Sequence, residues 1–118
     1  MDNSFYYRGK AFVIGNDHYD QMPDLNNAVN DAKSIHEALQ TLGFMTMPLA
    51  IDITTDDFDS LFNDFLGDLA KYDVAVVYYA GHGIEVDGKN YLVMTETPVG
   101  ELAITTTRRS VDLQECLS

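Results

Sequence analysis

An α/β fold, with a parallel sheet covered by helices, is what this sequence predicts, and three observations carry it. Two short apolar runs, Ala11-Phe12-Val13-Ile14 and Val74-Ala75-Val76-Val77-Tyr78-Tyr79, read as buried strands. Two longer stretches between them repeat apolar residues at steps of three and four, the period of a helix. The resulting order, β-α-β-α-β, closes through right-handed crossovers into a parallel sheet with helices on its faces.

The first run ends at Gly15-Asn16, and Asp17-His18-Tyr19-Asp20-Gln21-Met22-Pro23-Asp24 follows as a polar loop punctuated by proline. Ala28, Ala32, Ile35, Leu39 and Leu42 form the stripe of the first helix, closed by Gly43. Phe44 to Ile51 supplies a second strand with weaker patterning. Thr54 and Asp57 resemble a capping box, with acids in the first turn where the helix dipole favours them. Phe58, Leu61, Phe62, Phe65, Leu66 and Leu69 are the apolar stripe of that second helix. After the third strand, Val74 to Tyr79, Asp87-Gly88 sits between two short strands as a hairpin signal. Met94 to Thr107 reads as an irregular loop, and Ser110 to Ser118 as the opening of another helix capped by Ser110. Three principal strands make a small sheet, and another strand is expected after that helix. On this reading the fold is incomplete at its carboxyl end.

At 118 residues the chain is one domain or part of one, large enough for a core. A formal charge of −12 argues against nucleic acid and anionic membranes as partners. No apolar run approaches a membrane span, and Met1 to Arg8 lacks a signal-peptide layout, so the cytoplasm is the default compartment. The single cysteine, Cys116, rules out an internal disulfide. Between Lys33 and Lys71 lie Asp52, Asp56, Asp57, Asp59, Asp64 and Asp68 with no basic residue among them. A solvated acidic face accounts for them; attraction for basic substrates or a divalent cation is the sharper reading.

The third strand stops at Ala80-Gly81-His82-Gly83, a histidine between two glycines. Ligands of open α/β sheets sit beyond the carboxyl ends of the strands, which suits a titratable imidazole for acid–base work. The glycines are expected to allow a sharp turn at positive φ. The Gly83 N–H, unobstructed by a side chain, suits an oxyanion. A histidine that merely bonds a neighbouring carbonyl fits the same position. Asp31, near the start of the first helix at the same sheet edge, can cap that helix or pair with a cationic substrate group. His18 and His36 have no partner at metal-ligand spacing and read as surface residues. Neither a dinucleotide fingerprint nor a P-loop occurs. Cys116, in a helix-like stretch beside acids, reads as a structural or surface thiol.

Ala11-Phe12-Val13-Ile14-Gly15-Asn16, Leu25-Asn26-Asn27-Ala28-Val29-Asn30-Asp31-Ala32, Leu42-Gly43-Phe44, Tyr78-Tyr79-Ala80-Gly81-His82-Gly83 and Asp87-Gly88-Lys89-Asn90-Tyr91-Leu92 together resemble the caspase-like cysteine peptidases. The likeness is closer to metacaspases, paracaspases and bacterial relatives than to animal caspases, and it covers nearly the whole chain. It implies a three-layer sandwich and a Cys–His dyad, with His82 as general base and Gly83 N–H in the oxyanion hole. It also implies that Asp31 matches the acid of a specificity pocket for arginine or lysine. The serine frequent before Gly-His-Gly is Ala80 here. Calcium activates many metacaspases, so the resemblance leaves calcium activation open here without a site that can be named, and it implies no other cofactor.

In caspases the cysteine follows the histidine by about 50 residues, which from His82 falls near position ~132. Cys116 lies only 34 residues on (116 − 82), in the wrong element. Residues 1–118 thus read as the amino-terminal, large-subunit-like part of one caspase-like domain, inactive alone. A fragment or cleavage product of an active peptidase, one half of a two-chain enzyme, and a non-catalytic scaffold module are the alternatives. Arg108-Arg109-Ser110 fits either a self-processing site or two solvated arginines. The family topology orders the strands 2-1-3, leaving residues 74–79 as an apolar edge for a complementing carboxyl-terminal half or a second copy.

Overall fold

The structure is a computed structural model and describes residues 8–98 and 111–112. Strand β1 (Gly9–Gly15) is buried along its whole length, as its uninterrupted apolar run demands. Strand β4 (Val74–Ala80) runs parallel to it in register from Gly9↔Val74 to Gly15↔Ala80. The opposite edge of β1 carries two short parallel strands, β2 (Met45–Thr46) at Lys10 and Ala11, and β3 (Ala50–Ile51) at Ile14 and Gly15. The continuous second strand expected over 44–51 is therefore broken in two. Pro48 falls in the break. The order across the sheet, with β1 central, is the expected 2-1-3 arrangement.

Helix α1 (Ala28–Thr41) packs on one face of β1 and α2 (Thr55–Gly67) on the other. Strand alternation makes this explicit. Phe12 and Ile14 share a core with Phe58 and Phe65 of α2. Gly15 faces the other way, where a Cβ would lie 2.7 Å from the Ala32 Cβ of α1. Buried Lys10, on the α2 side, donates to the Phe65 carbonyl at 2.9 Å and pairs with Asp68. A buried cation is thus tied to the carboxyl end of α2, where the helix dipole favours it.

The ends of both helices follow local chemistry. Thr54 and Asp57 form the expected reciprocal capping box, at 3.2 and 3.1 Å. Gly43, at φ 90°, closes α1 in a Schellman arrangement, with Gly43 N–H on Gln40 and Phe44 N–H on Leu39, both at 3.0 Å. Leu42, expected on the apolar stripe, is 74% exposed because the chain leaves the helix there. A three-residue 3-10 turn, Leu69–Lys71, leads into β4.

Beyond β4, β5 (Gly83–Val86) and β6 (Lys89–Leu92) form the expected hairpin, with Asp87 and Gly88 at φ 52° and 78°. Two successive positive φ values are those of a type I′ turn. Strand β7 (Val111–Asp112) pairs antiparallel with β6 at Leu92 and Tyr91. Over Val111 and Asp112 this corrects the helix expected from Ser110 to Ser118: Val111 is buried against the core with Met94, and pairing with β6 holds these two residues extended. Ser110, Cys116 and the Arg108-Arg109 pair lie outside the described residues. Among those residues, no helix is long and apolar enough to cross a membrane.

Candidate active site

Strands β1 and β4 end side by side, and the loops leaving them meet. Asn16 ties the two exits together: its N–H donates to the Ala80 carbonyl at 2.9 Å, and its buried side chain accepts from Ile53 N–H at 3.0 Å. From β4 the chain passes directly into Gly81-His82-Gly83. From β1 it enters the 16–27 loop, which folds back over His82.

The His82 ring is half-buried, with Nε2 2.8 Å from the Pro23 carbonyl oxygen. A carbonyl can only accept, so Nε2 carries a proton and, in the neutral ring, Nδ1 is left with its lone pair. The histidine does bond a neighbouring carbonyl, and that bond is what leaves the other nitrogen basic. The two roles open in the sequence are compatible.

The backbone of His82 is held as closely as its ring. Its N–H donates to Tyr19 Oη at 2.8 Å, and its carbonyl accepts from Tyr79 Oη at 2.8 Å and from Val93 N–H at 3.1 Å. The glycines on either side have another purpose than the one expected. Neither Gly81 nor Gly83 adopts a positive φ; the described glycines that do are Gly43 and Gly88. Gly81 is required by crowding, since a Cβ there would lie 2.5 Å from both the Tyr19 and Tyr79 hydroxyl oxygens. Gly83 is exposed, and a Cβ there would meet only the Tyr91 carbonyl at 3.5 Å. Because Val93 N–H bonds to the His82 carbonyl, Gly83 and Leu92 are a non-hydrogen-bonded antiparallel pair. The N–H of Gly83 therefore points away from the β5–β6 ladder.

Asp31 lies one turn into α1 and is exposed. It does not cap the helix. Asp17 takes that role, its Oδ1 accepting from Ala28 N–H at 2.9 Å and Val29 N–H at 3.3 Å. Among the described residues no side chain pairs with the Asp31 carboxylate. Asp52, in turn, accepts from the N–H groups of Asp17 and His18 at 2.8 and 3.1 Å. Three acids of the 52–68 segment thus have local tasks: Asp52 at the loop, Asp57 in the capping box and Asp68 on Lys10.

His18 is exposed as expected, its Nδ1 3.2 Å from Asp24. His36 corrects the surface reading: it is half-buried and its Nε2 donates to the Met47 carbonyl at 3.0 Å, tying α1 to the segment between β2 and β3. Tyr19, Tyr79 and the Pro23 carbonyl were not foreseen as part of the site. The tyrosine pair had a signal, Tyr79 lying three residues before His82 on the last turn of pleat. A backbone carbonyl carries none.

An α/β domain with a parallel sheet and an imidazole held where its two central strands end is what the geometry defines. Residues 8–118 match the family model described as the caspase domain, and the chain belongs to that family. It is 32% identical over 88 residues to mucosa-associated lymphoid tissue lymphoma translocation protein 1 of Homo sapiens, covering 75% of this chain and 11% of that protein. It is also 32% identical over 99 residues to a paracaspase of Dictyostelium discoideum, covering 80% of this chain and 24% of that protein. The chain therefore spans less than a quarter of the length of these relatives.

Proposed function

We propose that this chain is the large-subunit-like part of a cysteine endopeptidase of the caspase type and supplies its general base, His82. The observation that carries this reading is the Nε2–H bond to the Pro23 carbonyl, which leaves Nδ1 as the ring's acceptor at the end of β4. The thiol comes from a cysteine about 50 residues beyond His82, at the end of a further strand. His82 Nδ1 takes the thiol proton, and the thiolate attacks the carbonyl carbon of a peptide bond. Gly83 N–H, directed away from its ladder, donates to the oxygen that becomes negative. The imidazolium then returns its proton to the leaving amine as the C–N bond breaks. The thioester is hydrolysed by water that His82 deprotonates.

Substrates are peptides or proteins with arginine or lysine before the cleaved bond, and the Asp31 carboxylate receives that cation. Its exposure and its lack of a partner among the described residues support this role over helix capping. Residues 1–118 alone are inactive on this reading. A complementing segment of the same domain would pair along the open side of β4.

The test uses the intact protein that carries this chain with the thiol. An arginine-ending fluorogenic peptide should be cleaved, and His82→Ala should lower kcat by about 10²–10⁴-fold, the usual contribution of a general base. Asp31→Asn should raise KM for arginine-ending peptides and leave kcat nearly unchanged. Cleavage that survives His82→Ala defeats the base assignment. An arginine preference untouched by Asp31→Asn defeats the pocket assignment.

A further inference from the structure

We infer that Tyr19, with Tyr79 behind it, is a positioning residue for His82: the two phenols grip both peptide groups of the base and so set the aim of its imidazole. The inference rests on the reading of His82 as the base.

Proton counting orders the network. The His82 N–H can only donate, so Tyr19 Oη accepts from it and has its own proton to give elsewhere. Tyr79 Oη lies 3.2 Å from Tyr19 Oη and also 2.8 and 2.6 Å from the carbonyls of His82 and Val93. Those carbonyls can only accept, so the single Tyr79 proton is shared between them. The Tyr19 proton therefore goes to Tyr79. The chain of donation runs from His82 N–H through both phenols and returns to the His82 carbonyl, closing a ring around one residue.

The ring joins the exits of both central strands. Tyr79 is the penultimate residue of β4, and Tyr19 comes from the loop leaving β1, the same loop that presents the Pro23 carbonyl to Nε2. Tyr19 is buried, and its ring stands edge-on to the imidazole with centroids 4.7 Å apart. The loop thus touches His82 at backbone, ring face and ring nitrogen. Burial raises the pKa of both phenols, so they keep their protons where an imidazole titrates, and the grip is the same for both protonation states of the base.

Tyr19→Phe keeps the ring and removes only the hydroxyl. In ¹⁵N-labelled protein the His82 amide should then exchange about tenfold faster, the worth of one hydrogen bond, while β1 amides keep their protection. The His82 ring ¹⁵N shifts should move away from a single Nε2–H tautomer. In the intact protein kcat should fall about tenfold with KM held, since only the aim of the base has changed. Unchanged His82 exchange, an equal rise across β1, or an unchanged kcat would each overturn the inference. His82→Ala is the separate arm: if it leaves cleavage intact, the base reading fails, while the exchange and tautomer readouts still report on the grip of Tyr19.

Discussion

Gly81 shows how a single missing methyl shapes the neighbourhood of His82. Space for the two phenol oxygens exists only because position 81 has no Cβ. Gly81→Ala forces one tyrosine away and so breaks a hydrogen bond to the His82 N–H or carbonyl. Overpacking of this kind costs about 1–3 kcal/mol, and urea denaturation should show a loss of that size. Gly83→Ala meets no such obstacle and has an ordinary backbone conformation, so its stability should be equal or slightly higher. Two glycines that look equivalent in sequence should therefore part in a stability measurement. Equal losses would mean that the phenols do not crowd Gly81.

At the scale of elements, the 16–27 loop is held by acids acting in series. Asp52, itself at φ 51°, anchors the backbone of Asp17 and His18, and Asp17 caps α1. Asp24 completes the loop by accepting from Tyr19 N–H at 3.3 Å and facing His18. Hydrogen bonding and charge from Asp24 raise the His18 pKa, and the same hydrogen bond lowers that of Asp24. The sign of each contribution follows. His18 favours the closed loop below its unfolded pKa and loses that effect as pH rises through its raised folded value. Asp24 favours it above its unfolded pKa and loses that effect as pH falls through its lowered folded value. The pair is complete only between those limits. An NMR titration of His18 should give a midpoint above the ordinary imidazole value, falling toward it in Asp24→Asn, where Asp52 and Asp17 still raise it. Since both side chains are exposed, the effect belongs to loop order and not to global stability. A His18 midpoint insensitive to Asp24→Asn would remove the pair from the account.

At the scale of the whole molecule, β4 has one open edge among the described residues. β1 covers one of its edges, and among the described residues no strand covers the other. Val74 and Val77 are 38% and 47% exposed, contrary to the fully buried strand that their sequence implies. Val77 lines an apolar groove formed with Phe62 and Leu66 of α2 and Leu92 of β6. An open edge with apolar faces favours pairing, whereas the charge of −12 on each copy opposes it. Sedimentation of this chain should therefore show association that grows with concentration and is strengthened by salt. Val77→Lys, which adds a charge to that strand, should suppress it. A monomer at high concentration and high salt would show that β4 is already covered.

Strand β1, both helices, the capping box and the Asp-Gly hairpin were legible in the sequence, because each is set by neighbours a few residues apart. The His82 segment was legible for the same reason, as a histidine between glycines at the end of an apolar run. Local pattern misled at Val111-Asp112, where a strand pairs with β6 in place of the expected helix, and at 44–51, where Pro48 falls between two short strands. It was silent on the surroundings of His82. Tyr19 and Pro23 lie 63 and 59 residues away from it in the chain. What brings them together is the parallel pairing of β1 with β4, which ends both strands at one edge and stacks their loops. The sequence by itself determined which residue is proposed as a base. Only the tertiary structure decided which nitrogen is left free to do so, because a backbone carbonyl makes that choice and every residue has one.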